Sequence, residues 1–353
     1  MTGAVLDGDQ DGCAAPHWGM DFDSDALVAV ATENGFTGAI RVQVGDHYLF
    51  DGAFGMADRA HGIPNTTDTQ FGVASGSKTF TALAVLSLVA EGVLTLDDAA
   101  RRWLGDDLPQ IDDAVTLRHL LSHTSGVGEY LDDDADPDEY LLPGSMHTYT
   151  SPEDFVPLLD VPMLAAPGSR FEYSNGGFVI LGLVAQRASG TRYQDLIRER
   201  VLGPAGLEHT DFLRSDELPG SAALGYLYPD APRTNVFHLP IEGSADGGAY
   251  TTVGDARRFW LALAAGAIVP TGLVEEMTTP GSPHDPDWPY GLGLWLPNPG
   301  GVWAMVGADA GVEMKSEHVP ALDLTWTVLA NESDKAWPPM RHLRLWRESL
   351  PDA

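Results

Sequence analysis

From Thr37 onward apolar and polar residues alternate through GAIRVQV and HYLFDGAFG on either side of Gly45-Asp46, a period of two that predicts a β-hairpin. The pattern then changes. In SGSKTFTALAVLSLVAEG apolar residues fall on nearly every face, which predicts a buried helix of about five turns ended by Gly92. Helical patterns dominate from there to the region of residue 240, notably LRHLLSH and NGGFVILGLVAQRASG, and the acidic stretch DDDADPDEY (132–140) reads as a solvated surface loop. Strand signals return from Gly247 in GGAYTT, YGLGLWL, VWAMVG, GVEMKS and LDLTWTVLAN, before a helical MRHLRLWRESL. This order predicts an α+β fold, an antiparallel β-sheet flanked by helices and built from both ends of the chain, with an all-helical lobe inserted. The expected boundaries are 1–25 as a loose N-terminal segment, 26–90 with 245–353 as the α/β lobe, and 91–244 as the helical lobe. A cleft between the lobes is the natural place for chemistry.

Charge narrows the choice of ligand. The net charge is −31, and only three basic residues are lysines: Lys78, Lys315 and Lys335. Such a surface repels phosphates, so nucleic acid is excluded as a partner and a small-molecule substrate is expected. Acidity with so little lysine also points to a salt-rich interior, where ions screen self-repulsion; the competing reading is an ordinary acidic protein. No apolar run is long enough to span a membrane and the first residues lack a signal-peptide pattern, so the expected location is cytoplasmic with no membrane partner. Cys13 is the single cysteine and can form no internal disulfide. Asp7-Gly8-Asp9-Gln10-Asp11-Gly12 opens like a calcium loop, but Trp18 stands where a bidentate glutamate is needed, so no metal is expected there.

The candidate chemistry lies at the start of the long apolar helix. A serine hydroxyl becomes a nucleophile only when a neighbour removes its proton, and Ser75-Gly76-Ser77-Lys78 sets a lysine three residues away on the same helical face. The helix N-terminus adds a positive end near a developing oxyanion. Eighteen serines and three lysines give about 0.15 chance matches to Ser-x-x-Lys in this chain. A serine N-cap beside a snorkelling lysine remains the alternative. Tyr173-Ser174-Asn175 is the second constellation: a tyrosine can relay a proton, and an asparagine amide can hold a carbonyl and orient a lysine. Asn-Gly-Gly is also a plain turn or helix-start signal. His119 and His123, four apart, suggest a metal pair but read better as structural, and Trp288, Tyr290 and Trp295 suit either a site wall or the core.

Taken together, AFGMADRAHGIPNTTDTQFGVASGSKTFTA, LRHLLSHTSG, PGSRFEYSNGGFVILGLV, GGAYTTVGDARRF and YGLGLWL, in that order over residues 35–335, resemble the serine β-lactamase and penicillin-binding protein superfamily, closest to its class C β-lactamase and esterase branch. The resemblance implies Ser75 as acylated nucleophile, Lys78 as its partner, Tyr173 as proton relay and Asn175 as a contact for the substrate amide. It implies no cofactor or metal. In that family a third motif, Lys or His, any residue, then Gly, edges the cleft. Here the triplet is Met305-Val306-Gly307, without the cation. Gly307 still permits close backbone approach, and the Ala308 N–H can join that of Ser75 as an oxyanion hole. Loss of the cation favours esters over substrates with a carboxylate beside the scissile bond. Lys315 could replace it only if the chain folded it back, against the strand spacing, and reads instead as a surface lysine. The expected activity is therefore serine hydrolysis of an ester, amide or β-lactam, against a non-catalytic or sensor-like relative that is acylated without turnover. Oligomeric state has no signature in the chain.

Overall fold

The computed structural model describes residues 21–131, 142–229, 231–281, 288–298 and 301–350. The calcium-like pattern, Cys13, the acidic loop 132–140 and most of the 1–25 segment lie outside the described residues. Ser24 and Asp25 do not: they open helix α1 (Ser24–Glu33), whose N-cap Asp23 accepts the Ala26 N–H.

A six-stranded antiparallel sheet is the frame of the molecule. Its strands are β1 (Gly38–Val44), β2 (His47–Phe54), β3 (Trp295–Asn298), β4 (Val302–Asp309), β5 (Val312–Val319) and β6 (Leu324–Ala330), in the spatial order β2-β1-β6-β5-β4-β3. The two ends of the chain meet at β1 and β6, with Gly38 opposite Ala330 and Val44 opposite Leu324. Alternation decides which face each residue serves. Ile40, Val42, Trp326 and Val328 pack with Leu27 of α1 and with Met340 and Leu343 of the C-terminal helix Trp337–Glu348. Ala39, Met305, Met314 and Leu329 turn to the other face, where helix α2 (Lys78–Ala90) lies.

Helix α2 is apolar all round because it is covered all round: Phe80, Leu83, Val85, Leu86 and Leu88 are at most 3% exposed. It packs on helix α3 (Asn175–Ser189), which starts at N-cap Ser174 and stops at Gly190 in the left-handed region. Three expected elements are shorter than their patterns. The first turn before α2, Ala74–Ser77, is a 3-10 turn. GGAYTT contributes only Tyr250–Thr251, paired with Phe71–Gly72 outside the main sheet. In YGLGLWL the strand begins at Trp295, because Gly293 runs against α2 so closely that a Cβ would sit 2.2 Å from Ala82 Cβ.

Candidate active site

The turn that carries Ser75 is gripped from two sides. Val73 donates its N–H to Ala249 O at 2.8 Å, and Ser77 Oγ accepts the Ala249 N–H at 3.0 Å. On the other flank β4 passes so close that a Cβ on Gly307 would lie 2.2 Å from Val73 O and 3.0 Å from Ser75 N. Only glycine fits there. Ala74, just before Ser75, has a φ of 44°, a conformation that costs about 1 kcal/mol or more and persists because both flanks hold it.

Lys78 follows one turn later and is 2% exposed. Its Nζ donates to Ser75 Oγ at 2.9 Å, Asn175 Oδ1 at 2.7 Å and the Asp246 carbonyl at 2.6 Å. All three of these partners are uncharged oxygens. A hydroxyl and an amine at this separation can exchange a proton. The acceptors are themselves fixed. Asn175 opens α3 and donates its backbone N–H to Glu129 Oε2 at 2.6 Å, while the Tyr130 hydroxyl donates to Asp246 Oδ2 at 2.6 Å. Burial, and then the Asp246 carboxylate, push the Tyr130 phenol well above its usual range, so it stays a donor.

Tyr173 stands over this group. Its ring centre is 5.0 Å from Lys78 Nζ, and its ring stacks on Trp295 at 6.4 Å and against His123 at 4.4 Å. His123 brackets the tyrosine: its carbonyl accepts the Glu172 N–H at 2.8 Å and its Nδ1 accepts the Ser174 N–H at 3.1 Å. The ring proton therefore sits on Nε2, which has no hydrogen-bond partner among the described residues and faces an aromatic box including Phe178 and Tyr290. Burial first, and the Lys78 charge second, hold this imidazole neutral with its pKa well below the ordinary value.

Ser75, Tyr173, Asn175, Gly307 and Ala308 all line one cleft of about 670 Å³, with Lys78 beneath Ser75. All six residues singled out from the sequence thus meet. The other candidates separate. His119 caps its own helix, its Nδ1 accepting the Thr116 N–H at 3.3 Å, whereas His123 has a φ of 54° and has left that helix, so the two rings share no face. Met305 is 3% exposed within the apolar core, and Lys315, expected at the surface, is instead 4% exposed and ion-pairs with Glu317 at 2.8 Å. Trp295 lines the cleft, Tyr290 backs it at 4.8 Å, and Trp288 covers Lys315 with its ring centre 4.6 Å from Nζ. Sequence reasoning missed Glu129, Tyr130 and Asp246. Asp246 reaches Lys78 through a backbone carbonyl, which leaves no side-chain signature. Among the described residues no group of three or more His, Cys, Asp or Glu is placed to hold a metal ion.

Known proteins resemble this chain in sequence and in fold. The chain is 30% identical over 256 residues to penicillin-binding protein 4 of Amycolatopsis lactamdurans, covering 69% of this chain and 62% of that protein. It is 36% identical over 184 residues to esterase EstB of Burkholderia gladioli, covering 48% of this chain and 45% of that protein. The matches thus span less than two thirds of either relative. Among solved structures, a penicillin-binding protein from Bacillus halodurans superposes with a TM-score of 0.83 at 34% identity, covering 90% of this chain and 99% of that one. The family model described as Beta-lactamase matches residues 25–349, and this chain belongs to that family.

Proposed function

We propose that the protein is a serine hydrolase of the esterase-type branch of this family, working through an acyl-enzyme on Ser75. The observation that carries the reading is Lys78 Nζ at 2.9 Å from Ser75 Oγ, held there by Asn175 and the Asp246 carbonyl. The step requires the neutral amine of Lys78: its Nζ lone pair takes the hydroxyl proton as Ser75 Oγ bonds to the substrate carbonyl carbon. The carbonyl oxygen takes up the negative charge between the Ser75 and Ala308 N–H groups, beside the positive end of α2. Collapse breaks the bond to the leaving group, which receives a proton through Tyr173. Water then attacks the acyl carbon by the same relay and frees Ser75. An ester is the favoured substrate, ahead of an amide or a β-lactam, because Met305 lies in the core where a carboxylate-binding cation would be required.

The same absence supports a second reading, a relative that is acylated but does not turn over. A fluorophosphonate or fluorescent penicillin labels the wild type and not Ser75→Ala if the acylation reading is right. Ser75-dependent turnover of p-nitrophenyl acetate then separates enzyme from sensor. We also propose that the net charge of −31 is an adaptation to molar salt. Equal folding and activity with and without such salt refute that.

A further inference from the structure

We propose that Glu129 and Tyr130, neighbours in the chain, are positioning residues for Lys78: each holds one of the two oxygens that keep its Nζ beside Ser75. The proposal rests on the acylation reading above and deepens it. Besides Ser75 Oγ, Nζ meets Asn175 Oδ1 at 2.7 Å and the Asp246 carbonyl at 2.6 Å, and these two oxygens come from segments far apart in sequence. The 129–130 segment ties both. Glu129 Oε2 accepts the Asn175 N–H at 2.6 Å in the first turn of α3, where a helix favours a carboxylate. The Tyr130 hydroxyl donates to Asp246 Oδ2 at 2.6 Å. Glu129 Oε1 takes the Tyr130 N–H at 2.9 Å, so the two halves of the clamp are bonded to each other.

The clamp sets direction as well as place. Asp246 is held at two points, because Thr81 Oγ1 on α2 donates to the preceding carbonyl, that of Ala245, at 2.6 Å. With that carbonyl and the Asp246 carboxylate both fixed, little freedom remains to turn the Asp246 carbonyl away from Lys78. The backbone that carries the clamp is itself confined. A Cβ on Gly126 would lie 2.1 Å from Ala165 O and one on Gly128 2.5 Å from Pro162 O, so the chain just before Glu129 lies flush against residues 162–165. A Cβ on Gly176 would lie 3.2 Å from Gly128 O, which shows how closely the same segment meets the start of α3. Proton transfer between Ser75 Oγ and Nζ depends steeply on their separation, and a displacement of about 1 Å costs roughly a hundredfold in rate. A pair of residues that fixes both other contacts of Nζ therefore governs that step without taking part in it.

Tyr130→Phe is the mildest test, because it keeps the ring, which packs edge-on against Phe155 at 5.8 Å, and removes only the hydroxyl. Tyr149→Phe is its control: that ring also packs on Phe155, at 4.9 Å, but its hydroxyl donates to Pro143 O rather than to a residue that holds Lys78. Two readouts are taken, the second-order rate constant for labelling of Ser75 by a fluorophosphonate and the NMR signals of isotope-labelled lysine Cε. Only three lysines are present, so Lys78→Ala identifies the Lys78 signal. Tyr130→Phe and Glu129→Ala should each slow labelling by about tenfold or more and move the Lys78 signal by more than a linewidth, leaving those of Lys315 and Lys335 in place. Glu129→Gln, whose amide oxygen can still accept the Asn175 N–H, should restore part of the rate. In a Lys78→Ala background the Tyr130→Phe loss should shrink to less than about twofold, since a residue that acts through Lys78 has nothing left to place. Tyr149→Phe should change neither readout. An unmoved Lys78 signal, an undiminished loss in Lys78→Ala, or the same effects from Tyr149→Phe overturn the proposal. If the fluorophosphonate labels no form of the protein while the Lys78 signal still answers to Tyr130→Phe and not to Tyr149→Phe, the positioning stands and the acylation reading falls.

Discussion

Two lysines are buried in this protein, one on each side of the chemistry, and their surroundings differ in kind. Lys315, 4% exposed, pairs with the Glu317 carboxylate, which Arg347 also holds at 3.1 Å, and lies against Trp288 and Trp326. Burial presses its pKa down and Glu317, shared with Arg347, resists. Lys78 is as deeply buried, yet the three groups it touches are dipoles. Carbonyl and hydroxyl oxygens position the Lys78 nitrogen, whereas Lys315 is held by a carboxylate. The same side chain is an ion-pair partner in one setting and a neighbour of the Ser75 hydroxyl in the other.

Four experiments press on that difference. Ser75→Ala and Lys78→Ala should each lower kcat on p-nitrophenyl acetate by about a thousandfold or more, with circular dichroism unchanged. Comparable activity in Lys78→Ala would erase the distinction between the lysines. Lys315→Met should do the opposite, destabilising the fold by about 3 kcal/mol in urea titration while the folded fraction keeps its turnover. The double variant Lys315→Met/Glu317→Gln should lose more still, since the buried Arg347, which shares that carboxylate at 3.1 Å, then loses its partner.

Acid probes both regions together. His318, stacked on Trp260 at 6.2 Å, is pushed down to about 4 by burial and then by Arg257, and His123 is lowered by burial and Lys78. Because the folded pKa lies below the unfolded one near 6.5, the unfolded chain takes up protons first. Stability is therefore complete above about pH 6.5 and falls as pH drops toward 4, by on the order of 3 kcal/mol for His318. Urea midpoints measured across that range check it, and the fall should shrink in His318→Asn. The smallest effect concerns the bracket on Tyr173. His123→Leu should lower kcat by about 10-fold to 100-fold with KM little changed, and His123→Asn, whose amide oxygen can still accept from Ser174, should restore part of it.

The legible parts of the molecule are those written in side chains close in sequence. Ser75 and Lys78 share one turn, α3 announces itself by Ser174 and Gly190, and the β1–β2 hairpin by its alternation. What escaped depends on backbone and distance. YGLGLWL alternates like a strand because Leu292 and Leu294 are both buried, but Gly293 at φ 85° bends the chain against α2. His119 and His123 look like one helical pair, and the left-handed turn at His123 separates them. The carbonyl of Asp246 and the Glu129 contact to Asn175 arise only when segments 46 to 168 residues apart close together.

The glycine pressed against the nucleophile turn also bears on the timing of synthesis. Ser75 emerges from the ribosome long before residue 307, and β1 emerges long before its neighbour β6. Until β4 and β6 have been made, the turn lacks one of the two walls that hold it and the first hairpin lacks a sheet. In a nascent chain the Ser75 turn thus stands unsupported on its Gly307 side until β4 has been made.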